Sequence, residues 1–186
     1  MDSAILVGIA SVVSAGLTIA IGAISPALGE GRSVAQGLQA IAQQPEEAGT
    51  ISRTLFVGLA MIESTAIYCF VVSMILIFAN PFWDFMLVHA GKTGLDNAAF
   101  IGLVSILISG LTITVGSIGS ALAEGRSVAQ ALDALARQPD AAAPLTRTLF
   151  VGLAMMESPA IFAFVVSMLL IFTNPFWNYA VAHFGG

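Results

Sequence analysis

The sequence predicts an all-α transmembrane protein made of two tandem helical hairpins. Three observations predict it. First, 58% of the 186 residues are hydrophobic and only 9% are charged. A soluble domain carries about 25% charged residues, so this chain cannot coat a water-facing surface. Second, four apolar runs, at 4–29, 54–79, 98–123 and 148–173, are each 26 residues long. About 20 helical residues span the hydrocarbon core, and backbone in lipid must satisfy its own hydrogen bonds, so each run is expected to be a helix. Third, the chain repeats itself without a gap at a shift of 94 residues. That shift aligns Glu30 with Glu124, Gln44-Pro45 with Gln138-Pro139, Glu63 with Glu157 and His89 with His183. Between 53 and 83, 25 of 31 positions match their partners at 147–177.

The first run (4–29) carries no charge. Its start, "MDSAILVG", has no basic segment, so no cleaved signal peptide is expected. Small residues recur along this first helix, among them Ser14, Gly16, Gly22, Gly29 and Gly31, and they let neighbouring backbones approach closely. The stretch "AIAQQPEEAGT" then ends one helix and starts the next, because proline and polar residues interrupt the apolar pattern. The second run (54–79) holds one charge, Glu63, inside "AMIESTAIYCF". Cys69, the only cysteine, lies in the same run and reads as packing. Phe82-Trp83 and Phe176-Trp177 follow "NP" and fit an interfacial aromatic belt, with His89 and His183 beside it. The third and fourth runs repeat this plan, with Gly110, Gly116, Gly119 and Gly125 on the small-residue helix. The loop becomes "ALARQPDAAAP" and the acidic stretch "AMMESPAIFAF". The expected units are therefore 1–83 and 98–186, joined by 84–97. Each has an even number of spans, so the copies are parallel repeats.

All five arginines flank the two hairpin loops, whereas the opposite side has only Lys92. The positive-inside rule then puts the loops in the cytoplasm and the termini and joint on the other side. Arg32 and Arg126 read as snorkelling to the loop-side interface.

The acids carry the chemistry. Glu30 lies 14 residues before Gln44, and Glu63 lies 18 residues after Pro45. At about 1.5 Å per helical residue the two reach a similar depth, as do Glu124 and Glu157. An acid at a helix centre in lipid costs about 2.5–3.5 kcal/mol and usually marks function. Desolvation disfavours a charged carboxyl, and two carboxyls at one site titrate as a pair. Such a pair suits loading and release of a cation. Small-residue faces on both hairpins suggest packing against further copies, and a closed ring satisfies repeated head-to-tail contacts.

With loop, glutamate and "NPF" in register in both halves, the chain resembles the c subunit of rotary ATP synthases. "GEGR" with a second acid on the first helix is similar to the bacterial N-type branch, and the fused double hairpin is similar to V-type proteolipids. The resemblance implies a rotor ring with first helices inside and second helices outside. It implies ion carriage by Glu63 and Glu157, with Glu30 and Glu124 behind them. It implies ion exchange through a stator a subunit that supplies an arginine, and contact of Gln44, Pro45, Gln138 and Pro139 with the central stalk. It also implies a multi-pass protein of the bacterial inner membrane, in contact with lipid, that is itself no catalyst and needs no cofactor.

For the ion, the residues leave two options. The first hairpin offers Glu30, Glu63, Ser64, Thr65 and Tyr68 as oxygen donors, in a pattern similar to sodium sites. In the second, Thr65 becomes Pro159 and Tyr68 becomes Phe162, which leaves Glu124, Glu157 and Ser158. Pro159 also frees the Met155 carbonyl. Two carboxylates and one Na⁺ would leave a net negative charge in lipid. A ring limited by its poorest sodium site is therefore expected to carry H⁺. No metal site is assigned firmly. A proton-coupled exporter would explain the acids but not the twin "QP" loops or the small-residue faces, and a structural proteolipid pore is a second alternative. There is no phosphate-binding "GxxxxGK[ST]" motif and nothing that points to nucleic acid.

Overall fold

The computed structural model describes residues 2–89 and 96–184. Seven helices occupy them: α1 (Ser3–Gly22), α2 (Ile24–Gln43), α3 (Ala48–Phe78), α4 (Pro81–Val88), α5 (Asp96–Arg137), α6 (Ala142–Phe172) and α7 (Pro175–Phe184). Among the described residues there is no strand. Four stretches are long and apolar enough to cross a membrane: Ser3–Gln43, Pro45–Val88, Asn97–Arg137 and Pro139–His183. Of the expected joint, 84–88 extends α4, and 90–95, including Lys92, lies outside the described residues.

Sequence explains the boundaries. Asp2 caps α1 by accepting from the Ala4 amide at 3.1 Å. The first span is interrupted at Ala23, three residues before Pro26, whose missing N–H leaves the Gly22 carbonyl without its helical partner. The equivalent of Pro26 is Ser120, and α5 runs through that point unbroken for 42 residues. Each loop leaves its helix at a glutamine, Gln44 or Gln138, and turns through a short 3₁₀ segment, Pro45–Glu47 or Pro139–Ala141. At the other end Asn80 accepts from the Phe82 and Trp83 amides, and Asn174 from those of Phe176 and Trp177. Proline at the first helical position completes both starts.

The helices form two layers. α1, α2 and α5 lie side by side in one, and α3 and α6 in the other, with α3 also packed on α5 and α6. Each hairpin is tied in the same way. Ser73 donates to the Ala15 carbonyl and Ser167 to the Ser109 carbonyl, both at 2.7 Å. Asn80 donates to Ser11 at 2.5 Å and Asn174 to Ser105 at 2.6 Å. Between the hairpins the small residues do what the pattern predicted. Gly29 and Gly125 bring α2 and α5 so close that a Cβ on Gly125 would collide with the Gly29 backbone. Ser14 donates to the Ile106 carbonyl at 2.9 Å, and Ser33 to that of Gly125 at 3.2 Å.

Two buried apolar clusters result. One gathers Val7, Leu76, Phe82, Ile106 and Trp177, and the other Ala40, Ile51, Leu55, Leu132 and Leu153 towards the loops. This corrects the belt reading for two of its four aromatics. Phe82 and Trp177 are buried against each other edge to face, with centroids 4.7 Å apart, and so lock the hairpins together. Phe176 stays exposed. Cys69 is buried, with Sγ 3.5 Å from the Ser117 hydroxyl. His89 and His183 stack on Phe85 and Tyr179, one turn earlier.

Candidate functional site

Helical geometry assigns each second helix two working faces. Successive residues are about 100° apart, so Glu63 and Ser64 point to different sides of α3. Glu63, Ala66, Ile67 and Phe70 follow the i, i+3, i+4, i+7 pattern of one face. Ser64 and Tyr68, one turn apart, share another. On α6 the corresponding sets are Glu157, Ala160, Ile161 and Phe164, and Ser158 with Phe162.

The structure brings the hydroxyl face of α3 against the acidic face of α6. Ser64 Oγ donates to Glu157 Oε1 at 2.5 Å, and Tyr68 Oη donates to the same oxygen at 2.6 Å. Ser64 also lies 2.6 Å from the Met61 carbonyl. Tyr68 packs at a tilt on Phe164, with centroids 5.3 Å apart. Glu124 of α5 lies behind, near Glu157 and Tyr68. Glu124 is fully buried and Glu157 is 9% exposed. Neither Glu124 oxygen has a hydrogen-bond partner among the described residues. Burying unpartnered polar oxygens is expensive, so this pair needs a cation or protons to neutralise it.

This arrangement corrects one grouping made from the sequence. Ser64 and Tyr68 do not serve the Glu63 of their own helix; they serve Glu157 of the other hairpin. Thr65 joins neither acid, because its hydroxyl is buried and donates to the Ile62 carbonyl at 2.9 Å. Ser158 donates to the Ala154 carbonyl at 3.2 Å on an exposed face, next to Phe162, which is 67% exposed. The copy that looked poor in oxygens, around Glu157, is therefore the better furnished one.

Glu30 and Glu63 do meet at one depth, as the residue counting predicted. Both line an open cleft of about 360 Å³ with Ile19, Pro26, Ala66 and Phe70. No group of three or more His, Cys, Asp or Glu side chains that could hold a metal ion occurs among the described residues. The loop residues Gln44, Pro45, Gln138 and Pro139 stand at the hairpin tips, exposed or half-exposed. Arg137 pairs with Asp133 at 2.9 Å beside the second loop.

Phe164 and the Gly29–Gly125 contact were not singled out as parts of this site from the sequence. The spacing contained the signal for Phe164, which lies seven residues after Glu157 and hence on its face.

Comparison with known proteins gives a consistent result. The family model for the ATP synthase c subunit matches twice, at residues 13–76 and 107–170, more than two thirds of the chain and again 94 residues apart. One of the ATP synthase c subunits of Cereibacter sphaeroides, the one numbered 2, is 63% identical over 76 residues, which are 92% of that protein but 41% of this chain. The chloroplastic ATP synthase c subunit of Rhodomonas salina is 48% identical over 77 residues, 94% of its length and 41% of this chain. The ATP synthase c subunit of Prochlorococcus marinus is 48% identical over 82 residues, 99% of its length and 44% of this chain. Each relative thus corresponds to about one of the two hairpins.

Proposed function

The chain belongs to the ATP synthase c-subunit family, as a multi-pass membrane protein holding two copies of the family's hairpin, and on that premise we propose that it is a proton-carrying rotor segment. Copies assemble into a ring, with 1–83 and 98–186 as successive hairpins joined by 84–97. Glu63 and Glu157 carry the ion, each backed by the acid of its first helix, Glu30 or Glu124. A stator a subunit exchanges the ion at each passing glutamate through an arginine. The central stalk rests on the loops at Gln44, Pro45, Gln138 and Pro139. The loops face the cytoplasm of a bacterium and the ring sits in its inner membrane. The chain translocates ions and leaves the chemistry of ATP to other subunits.

The observation that carries the reading is the buried Glu124–Glu157 pair, whose Glu157 is reached by Ser64 and Tyr68 from the neighbouring hairpin. Both hydroxyls donate to Glu157 and so orient its carboxyl. Two carboxylates with one Na⁺ keep a net negative charge in a medium that penalises it, whereas two protons leave the pair neutral. The Glu30–Glu63 pair has still fewer oxygens around it. Every pair passes the same stator, so the poorest sodium site sets the ion.

The test is ATP-driven pumping by the whole complex in lipid vesicles, followed with a pH-sensitive dye. Protons are expected to accumulate in sodium-free medium at the same rate as with Na⁺ present. Pumping that requires Na⁺, or that moves Na⁺ with no acidification, overturns the proton reading.

A further inference from the structure

The two carboxyl pairs occupy equivalent places in their hairpins but unlike surroundings. Around Glu124 and Glu157 most equivalents of the cleft residues are covered: Ala121 and Ala160 are fully buried and Phe164 lies under Tyr68, while Ile161 stays 39% exposed. Around Glu30 and Glu63 the same positions are open, with Ala27 and Glu63 exposed and Phe70 51% exposed. The first helices show the same contrast. A Cβ on Gly110 would collide with Ser14 and Thr18, whereas one on its equivalent Gly16 would meet nothing within 4 Å. Gly125 touches Gly29, whereas its equivalent Gly31 faces open space.

The far side of the second hairpin has the complementary shape. On α3 the face that covers Glu157 is Ser64 and Tyr68, with Thr65 fully buried beside them. On α6 the corresponding face is largely open: Ser158 is half-buried, Pro159 is exposed, Phe162 is 67% exposed and Met155 71%. One edge of the chain thus lacks what the other edge presents, in the register of the interface already formed between the hairpins.

We propose that a second copy of this chain fills the Glu30–Glu63 cleft with its Ser158 and Phe162, so that two unlike ion stations alternate around the ring. Within each chain, Glu157 is held by a serine and a tyrosine hydroxyl. At each chain-to-chain joint, Glu63 meets the neighbour's serine and a phenyl ring with no hydroxyl. This rests on the ring reading and adds to it that every second station is chemically different. The titratable groups facing Glu157 are Glu124 from α5 and Tyr68 from α3, and the one facing Glu63 is Glu30 from α2. The neighbour's face adds no titratable group, since Ser158, Pro159 and Phe162 have none.

Site-resolved labelling of the ring in its native membrane tests this. The probe is N,N′-dicyclohexylcarbodiimide, which adds to protonated carboxyls, and peptide mass spectrometry reads Glu63 and Glu157 separately. Tyr68→Phe should speed labelling of Glu157 by about tenfold, the weight of one hydrogen bond to a charged group, and leave Glu63 unmoved. Phe162→Tyr should slow Glu63 by a similar factor and leave Glu157 unmoved. Should Phe162→Tyr fail to assemble, Ser158→Ala is expected to act on Glu63 alone and Ser64→Ala on Glu157 alone. An intact ring in which Tyr68→Phe acts on Glu63, or in which neither position affects either acid, overturns the unlike stations and spares the rotor reading. A protein that runs as a single chain, with Glu63 indifferent to position 162, overturns both.

Discussion

The hairpins share most of their second-helix sequence, yet one places its acids in the interior and the other at an open edge. Inside each hairpin the geometry is the same. Serine-to-carbonyl ties measure 2.7 Å in both, and asparagine-to-serine ties measure 2.5 and 2.6 Å. Outside, the environments diverge, because α3 is packed between hairpins and α6 has one face free. Local sequence thus sets the hairpin, whereas position in the row sets the surroundings of its carboxyls. A glutamate in this fold is completed by the hairpin beside it.

The largest effect expected from this comparison is the loss of transport when either member is disabled. Glu157→Gln should abolish ATP-driven proton pumping although Glu63 is intact, since a rotor stops at any dead station. Glu63→Gln should do the same. Pumping at a substantial fraction of the native rate in either variant would show that the two pairs are not both stations.

Next come the paired glycines. Gly125→Ala drives a methyl into the Gly29 backbone and should destabilise the folded chain by about 1–3 kcal/mol, read by thermal unfolding in detergent. Its equivalent Gly31→Ala meets no atom within 4 Å inside the chain, so it should spare the fold and lower the yield of assembled ring. Equal effects on fold and on assembly would break the comparison.

The asparagine caps sharpen it from the other side. Asn80→Ala and Asn174→Ala each remove a helix cap and a buried bond to serine, at a cost of about 1–2 kcal/mol. The two losses should agree within error, because these ties lie within hairpins. The smallest effect belongs to Arg137→Ala. Its pair with Asp133 joins residues one turn apart with side chains 72% and 35% exposed, and such pairs contribute about 0.3–0.5 kcal/mol.

Much of the architecture is legible in the chain itself. The apolar runs, the 94-residue repeat and the "QP" and "NP" punctuation define the helices, and counting residues to the loops brings Glu30 level with Glu63. What was not legible is which hairpin's hydroxyls serve which acid. Ser64 follows Glu63 in sequence, and proximity in sequence suggested a shared site. A helix turns about 100° per residue, so neighbours in sequence face different partners. Periodicity identifies faces but not what packs on them. The burial of Phe82 and Trp177 was hidden for the same reason, since an interfacial belt and a joint between hairpins use the same side chains. The break before Pro26 was open to reading, because only the first copy has proline there.

The central claim is that this chain is a repeating segment of a closed rotor ring. Single-particle imaging of the detergent-isolated protein tests it most directly. The account predicts a ring with an even number of hairpins, two per chain, in which each Glu30–Glu63 cleft is filled by Ser158 and Phe162 of the next chain. Isolated chains or open pairs, with that cleft facing lipid, would contradict it.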